Sequence, residues 1–242
     1  MLKPFNEIPA ADRVIVALDC DAAEAKRLAG LLSGKAKWLK VGMTLYYAEG
    51  PSIVKAFKEL GFNVFLDLKF HDIPHQVEGA AASAVASGAD MITMHASGGV
   101  AMMQAAQRGV QRVCDETGRE MPATLGITVL TSMDEPTLKR IGVERAMEEQ
   151  VGALALLAKE AGISGVVASP MEARMLRDLL GPEAYIVTPG VRPAGSAKGD
   201  QSRVATPDQA FAAGASHIVV GRPITQAEDP AAAFEAIAAS LS

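Results

Sequence analysis

Asp67 and Lys69 flank a single leucine within an otherwise apolar run, so an acid and a base stand two residues apart. In an extended strand, side chains at this spacing leave the same face, about 6 to 7 Å apart along the chain. Leu66 and Leu68 then pack on the opposite face. A buried charge without a partner is costly, so the two groups must neutralise each other or a ligand. The spacing indicates either a structural ion-pair network or a site for a charged ligand.

Two further charged residues favour the ligand. Lys40 lies in the preceding apolar run, and Asp72 comes shortly after Lys69. Lys40, Asp67, Lys69 and Asp72 thus form an alternating array of two lysines and two aspartates. We interpret this array as a site for chemistry on a charged substrate rather than as a plug of ion pairs.

Gly221-Arg222 comes at the end of the last apolar run of the chain. In α/β barrels, the loop after the last strand commonly binds a phosphate through backbone N–H groups and a cation. The pair therefore predicts a phosphate subsite, and an arginine that merely caps a helix is the alternative.

Strands and helices must bring these residues together. The chain alternates eight short apolar runs, which are strand candidates, with eight Ala-rich amphipathic stretches, which are helix candidates. The strand candidates are 13–19, 38–42, 63–69, 91–95, 123–130, 165–169, 185–190 and 217–221. The helix candidates are 22–32, 52–60, 76–87, 100–117, 145–161, 171–179, 206–213 and 230–241. This alternation predicts an α/β fold, a single-domain (β/α)8 TIM barrel over residues 1–242. An open doubly wound sheet is the competing fold, but no GxGxxG follows the first strand.

The active site of a barrel enzyme lies at the carboxyl ends of the strands. Polar residues gather at those ends in this sequence: Asp19, Lys40, Asp67, Lys69, His95, Thr128, Thr131, Gly221 and Arg222. The segment of about 192–203 after the seventh strand is rich in glycine, proline and small polar residues. A long loop on the active face predicts a lid.

Composition excludes several classes of protein. The chain carries 23 Lys and Arg against 28 Asp and Glu, a formal net charge of −5, so no nucleic-acid partner is expected. No stretch of 18 apolar residues occurs, so we expect no membrane segment. Cys20 and Cys114 form no CxxC pair, and the first residues lack a signal-peptide core. A cytoplasmic location is expected. His71 and His75 stand four apart with Pro74 between them, and we expect no metal there.

The segment Asp67-Leu68-Lys69-Phe70-His71-Asp72-Ile73-Pro74 resembles the DxKxxD signature of the orotidine 5′-phosphate decarboxylase family. Other segments are similar to its bacterial members: Arg13 to Asp19, Leu39 to Gly42, His95 to Gly99, Thr128 to Met133, Thr188 to Pro193, Gly199-Asp200-Gln201 and Val220 to Ile224. The resemblance covers about residues 13 to 230. It implies decarboxylation of orotidine 5′-monophosphate to UMP and CO2, with no metal or organic cofactor.

The resemblance also implies roles for the charged array. Lys69 would stabilise the carbanion at pyrimidine C6 and deliver the proton that replaces CO2, while Asp67 would crowd the substrate carboxylate. Lys40 and Asp72 would hold Lys69 charged and aimed. Lys40 would also reach the ribose, together with Asp19. In the family the second aspartate of the motif enters the partner's site, so a homodimer with Asp72 contributed across the interface is implied.

Other positions match the family's substrate contacts. Thr131 would sit at the base, and Arg192, Gln201, Gly221 and Arg222 would bind the phosphate and close the lid. The chain departs from the pattern at His75-Gln76, where many bacterial members have Asn-Thr. Gln76 replaces a threonine near the partner's ribose and can still donate and accept hydrogen bonds.

Three other functions remain open from the sequence. A related decarboxylase of sugar phosphates uses the same motif with Mg²⁺ bound by carboxylates. A Schiff-base aldolase would use Lys69 or Lys40 as the nucleophile. A non-catalytic nucleotide sensor would keep Gln201 and Arg222 but has no need for the charged array.

Overall fold

The computed structural model describes residues 5–193 and 205–241. Within these residues, eight parallel strands close into a barrel in the order of the sequence, and the first strand pairs with the last. The strands are β1 Val14–Leu18, β2 Trp38–Gly42, β3 Asn63–Phe70, β4 Met91–His95, β5 Ala123–Ile127, β6 Gly165–Val167, β7 Tyr185–Thr188 and β8 His217–Val220. The predicted (β/α)8 barrel is therefore confirmed.

Helices surround the barrel and connect the strands. They are α1 Ala22–Leu32, α2 Met43–Glu49, α3 Pro51–Glu59, α4 Pro74–Ala86, α5 Gly99–Thr117, α6 Glu135–Arg140, α7 Met147–Glu160, α8 Ala173–Leu180, α9 Pro207–Ala212, α10 Arg222–Thr225 and α11 Pro230–Ala239. Short 3-10 turns lie at Phe5–Glu7, Ala10–Arg13, Ala96–Gly98 and Pro170–Glu172. Within the part of the chain that the structure describes, no helix is long and apolar enough to cross a membrane.

The core has two layers because successive strand residues point to opposite faces of a closed sheet. One set of buried side chains fills the barrel and includes Ile15, Phe65 and Leu125. The other set, which includes Val16 and Leu66, packs outward against the helices. Strands buried on both faces explain why the runs are apolar at nearly every position.

Aromatic side chains pack together inside the barrel at the amino ends of the strands. There the ring of His217 lies 5.6 Å from Trp38 and from Tyr185, measured between centroids. Burial, and then Arg13, lower the pKa of His217 to about 3, so the imidazole is neutral within the core. This packing leaves the carboxyl ends of the strands as the place for a site.

Element boundaries agree closely with the sequence analysis at several places. The bounds of β2, β4 and α1 are those predicted. Helix α4 begins at Pro74, two residues earlier than predicted, because proline suits the first position of a helix. Helices α2, α6 and α10 were not predicted, since each is shorter than eight residues and shows too few turns to reveal a period.

The predicted lid at 192–203 lies outside the described residues, apart from Arg192 and Pro193. The two flanks of residues 194–204 lie side by side, because Val191 pairs with Ala205 and the Arg192 N–H donates to the Ala205 carbonyl at 2.9 Å. Val191 and Ala205 therefore lie next to each other, shortly after the carboxyl end of β7.

Candidate active site

A cavity of about 680 Å³ opens at the carboxyl ends of the strands. Its lining includes eight of the predicted site residues: Asp19, Lys40, Asp67, Lys69, Thr131, Arg192, Gly221 and Arg222. Strand register causes this convergence, since Ala17 pairs with Lys40 and Gly42 pairs with Asp67 around the barrel. Residues far apart in sequence thus reach one level of the barrel mouth.

The centre of the cavity is an ion-pair network around Asp67. The Lys69 Nζ lies 2.7 Å from the Asp67 Oδ2, and the Lys40 Nζ lies 3.7 Å from the same oxygen. Lys40 also donates to the Asp19 Oδ1 at 2.8 Å. The side chains of Lys40 and Asp67 are 10% and 11% exposed, whereas that of Lys69 is 27% exposed. Of the two ammonium groups, that of Lys69 is therefore the more accessible to a ligand in the cavity.

The network determines the charge of Asp67. Burial by itself raises the pKa of Asp67, but the ammonium groups of Lys40 and Lys69 outweigh that effect, and hydrogen bonds from Lys69 and Thr93 add to theirs. The pKa of Asp67 therefore lies below its usual range. At neutral pH the cavity holds a carboxylate between two ammonium groups.

The backbone at Lys69 departs from a regular strand. Its φ is +54°, and within the described residues Lys69 is the one non-glycine residue with a positive φ. This left-handed conformation costs a residue with a Cβ about 1 to 2 kcal/mol. The ladder between β3 and β4 shifts register between Leu66 and Phe70, around this residue. The ladder is irregular here, yet the predicted facing holds: Asp67 and Lys69 line the cavity, and Leu66 and Leu68 pack in the outer core.

Two residues that the sequence analysis did not single out support the network. The Thr93 hydroxyl accepts a hydrogen bond from the Lys69 N–H at 2.9 Å and lies 3.0 Å from the Asp67 Oδ1. At Gly42, a Cβ would lie 3.0 Å from the Asp19 Oδ1 and 3.2 Å from the Lys40 Nζ. The available signals were one hydroxyl within the apolar strand β4 and a glycine two residues after Lys40.

Asp72 and Gln76 do not line this cavity. Both residues are exposed, and the Asp72 Oδ1 accepts a hydrogen bond from the Ile73 N–H at 2.6 Å. Two large apolar side chains are also exposed: Ile73, next to Asp72, is 64% exposed, and Tyr47 on α2 is 76% exposed. The remaining predicted contact, Gln201, lies outside the described residues.

Other titratable groups at the site have definite protonation states. Burial lowers the pKa of His95, and His71 and Lys69 lower it further, so the imidazole is neutral at pH 7. Burial and the nearby Glu24 raise the pKa of Cys20 to about 11, so this cavity-lining thiol is protonated. Among residues 5–193 and 205–241, no three or more His, Cys, Asp or Glu side chains are grouped so that they could hold a metal ion.

The arrangement suits chemistry on an anionic substrate. An ammonium group held by a carboxylate can stabilise negative charge that develops on a substrate atom and can give that atom a proton. Arg192 and Arg222 line the cavity as well. The site therefore offers a proton donor together with cations for a phosphate.

Comparison with known proteins gives one consistent family. Residues 12–237 match the model of the orotidine 5′-phosphate decarboxylase / HUMPS family. The chain is 53% identical over 242 residues to an orotidine 5′-phosphate decarboxylase of Moorella thermoacetica, covering 99% of this chain and 96% of that protein. It is 49% identical over 234 residues to one of Parasynechococcus marenigrum, covering 96% and 94% of the two chains. A crystal structure of orotidine 5′-phosphate decarboxylase from Lactobacillus acidophilus superposes with a TM-score of 0.85 at 37% identity, covering 96% of this chain and 99% of that one.

Proposed function

Because the chain belongs to the orotidine 5′-phosphate decarboxylase / HUMPS family, we propose that it is a carboxy-lyase that converts orotidine 5′-monophosphate to UMP and CO2. This reaction is the last step of de novo pyrimidine nucleotide synthesis. The observation that carries the proposal is the Lys69 ammonium in the cavity, 2.7 Å from the Asp67 carboxylate and flanked by Lys40. No cofactor takes part in the proposed reaction.

The proposed chemistry breaks the bond between pyrimidine C6 and the carboxylate carbon. CO2 departs, and the bonding electron pair stays on C6 in an orbital in the ring plane, where the π system cannot delocalise it. The Lys69 ammonium stabilises this charge and transfers its proton to C6, which completes UMP. Lys69 then regains a proton from solvent. Enzymes lower barriers by about 8 to 23 kcal/mol, and this reaction needs the upper part of that range.

Asp67 and Lys40 have supporting roles in this proposal. Asp67 crowds the substrate carboxylate, a ground-state effect that we treat as secondary. Its larger role is to orient the Lys69 ammonium group, since the two groups form a short ion pair. Lys40 stabilises the ionised Asp67, and with Asp19 it provides the polar atoms that bind the ribose hydroxyls.

We assign the phosphate to the rim formed by Arg192, Gly221 and Arg222, which all line the cavity. Gln201 and the lid at about 192–203 complete this subsite in the proposal, whereas Thr131 is assigned to the base of the nucleotide. Contacts to a phosphate remote from C6 can accelerate the chemical step, because lid closure positions the ring and excludes water.

We propose that the active form is a homodimer in which Asp72 acts in the partner's site. The exposed position of Asp72, outside the cavity of its own chain, supports this assignment. So do the exposed apolar side chains of Ile73 and Tyr47, since burial of exposed apolar surface favours association. Gln76 follows on the first turn of α4 and reaches the partner's ribose in the same arrangement.

Two further expectations stay predictions: a cytoplasmic location and the absence of a nucleic-acid partner. The alternatives from the sequence are also open to test. An aldolase uses a lysine as a nucleophile, whereas both lysines here lie in ion pairs with Asp67. A sugar-phosphate decarboxylase requires Mg²⁺, and a nucleotide sensor releases no CO2.

The test is a spectrophotometric decarboxylation assay on orotidine 5′-monophosphate with EDTA present. Wild-type protein is expected to turn over fully in EDTA, and Lys69→Ala to lose at least about 1,000-fold in kcat while it still binds UMP. Loss of activity on chelation would favour the sugar-phosphate enzyme. Imine trapping with borohydride would favour the aldolase, and UMP binding without CO2 release would favour the sensor.

A further inference from the structure

We propose that Thr93 is a positioning residue for the decarboxylation, because its hydroxyl fixes both the Asp67 carboxylate and the backbone of Lys69. This inference rests on the proposed function. Thr93 lies in the middle of β4 and is fully buried. It is not part of the cavity lining, so it acts on the substrate only through its two partners.

The direction of the hydrogen bonds follows from the groups involved. A backbone N–H can only donate, so the Lys69 N–H donates to the Thr93 Oγ1 at 2.9 Å. An ionised carboxylate can only accept, so the Thr93 hydroxyl donates to the Asp67 Oδ1 at 3.0 Å. The Asp67 Oδ2 in turn accepts from the Lys69 Nζ at 2.7 Å. The three bonds form a closed ring that begins at the backbone of Lys69 and ends at its side chain.

The ring gives the two carboxylate oxygens of Asp67 different partners. The Thr93 hydroxyl holds the Oδ1, so the Oδ2 is the oxygen that faces both ammonium groups, at 2.7 Å from Lys69 and 3.7 Å from Lys40. Without that hydroxyl, the carboxylate loses the contact that fixes its Oδ1 and can rotate about its χ2 torsion toward other orientations. Rotation would change where the Lys69 ammonium lies in the cavity.

The same hydroxyl stabilises the unusual backbone of β3. The β3–β4 ladder pairs Leu66 with Ile92 and Phe70 with Met94, so residues 67–69 lie opposite Thr93 alone. Such a bulge leaves backbone groups without ladder partners. The Thr93 Oγ1 takes the Lys69 N–H in place of a carbonyl, at the residue whose φ is +54°. The direction in which the Lys69 side chain leaves the strand thus depends on Thr93.

The test compares Thr93→Val, which removes the hydroxyl but keeps the shape, with Thr93→Ser, which keeps the hydroxyl. Thr93→Val is expected to lower kcat about 100-fold, the cost of a misplacement of about 1 Å, with KM and the Kd for UMP within about threefold of wild type. Thr93→Ser is expected to stay within about threefold of wild type in kcat. The acid limb of the kcat profile should move to higher pH in Thr93→Val, because ionised Asp67 has lost a donor.

Thr124→Val is the matched control. Thr124 is a fully buried threonine on the neighbouring strand β5, and its hydroxyl contacts Ser164 outside the cavity. Its loss tests the effect of removing any buried strand hydroxyl, and we expect kcat to stay within about threefold of wild type. Where Thr93→Val fails to fold, the pair Thr93→Ala and Thr93→Ser makes the same comparison of hydroxyl present against hydroxyl absent.

Unchanged kcat in Thr93→Val, or an equal loss in Thr93→Ser, would overturn the inference, since the hydroxyl would then not be the active element. An equal loss in Thr124→Val would overturn it as well, because the effect would not be specific to the ring. An inactive wild-type protein would overturn the proposed function itself. An active wild-type protein with an active Thr93→Val variant removes only the role of Thr93.

Discussion

At the scale of single residues, the site combines a strained backbone with a strong set of side-chain bonds. Lys69 adopts a left-handed conformation, which disfavours any residue with a Cβ. The ion pair with Asp67 and the hydrogen bond to Thr93 act on the same residue and offset this cost. Strain of this kind persists where the surrounding contacts determine the conformation, and it is common at functional sites.

The strain can be measured by comparing Lys69→Gly with Lys69→Ala. Both variants lose the ammonium group, so their difference isolates the backbone, and glycine has no Cβ to oppose a positive φ. We expect the free energy of unfolding of Lys69→Gly to exceed that of Lys69→Ala by about 1 kcal/mol, measured by urea denaturation.

The control pair is Lys55→Gly and Lys55→Ala, at an exposed position within helix α3. There the order should reverse, with glycine less stable by about 1 kcal/mol, because a helix favours alanine. The same order at both positions would contradict a strained backbone at Lys69.

Residues of the site were predictable where their chemistry conflicts with their surroundings. Lys40, Asp67 and Lys69 stand out because charges are rare in buried strands. Thr93 does not stand out, since threonine is common in strands and its role depends on which residue of β3 it faces. The bulge at Lys69 was also hidden, because the alternation rule assumes a regular ladder and the register shift arises from pairing with β4.

At the scale of elements, glycines at helix ends and repeated apolar runs determined most boundaries. Gly61, Gly88, Gly162 and Gly214 each follow a helix with a positive φ, which only glycine adopts without cost. Short elements without such a repeat were missed, and α10 is the one that matters for function. It begins at Arg222, directly after Gly221 and β8, so this arginine is presented at the rim of the cavity.

Arg222→Ala tests the phosphate subsite at this element. A charged hydrogen bond contributes about 1.5 to 3 kcal/mol, so kcat/KM for orotidine 5′-monophosphate should fall about 10- to 150-fold. The melting temperature should barely change, because Arg222 is exposed. Arg112→Ala, at an exposed arginine of α5 outside the cavity, should leave both quantities unchanged.

Orotidine without its phosphate separates this role from others. If Arg222 binds the phosphate, Arg222→Ala and wild type should have the same kcat/KM on orotidine. A loss on orotidine as large as on the nucleotide would assign Arg222 to another part of the reaction.

At the scale of the whole molecule, the closed barrel forms one cavity from residues that lie far apart in the sequence. Closure of β1 on β8 brings Asp19 and Arg222 from opposite ends of the sequence to one mouth. Asp72, the second aspartate of the DxKxxD motif, lies outside this cavity, on an exposed stretch next to Ile73. The sequence analysis expects Asp72 in the site of a partner subunit, and this expectation stays a prediction.

Hybrid dimers test whether Asp72 acts across an interface. Asp72→Asn and Lys69→Ala are each expected to be inactive alone, because every site of either homodimer lacks one group. In a hybrid dimer, one site carries both substitutions and the other carries neither. Subunit exchange in an equal mixture makes half of the dimers hybrid, so activity should recover to about a quarter of wild type in a symmetric dimer.

The matched control mixes Lys69→Ala with Asp67→Asn. Both residues line the same chain's cavity, so every hybrid site keeps one defect and no recovery is expected. No recovery with Asp72→Asn in dimers shown to exchange would place Asp72 in the site of its own chain. Recovery in the control would overturn the reading that recovery requires a site shared between subunits.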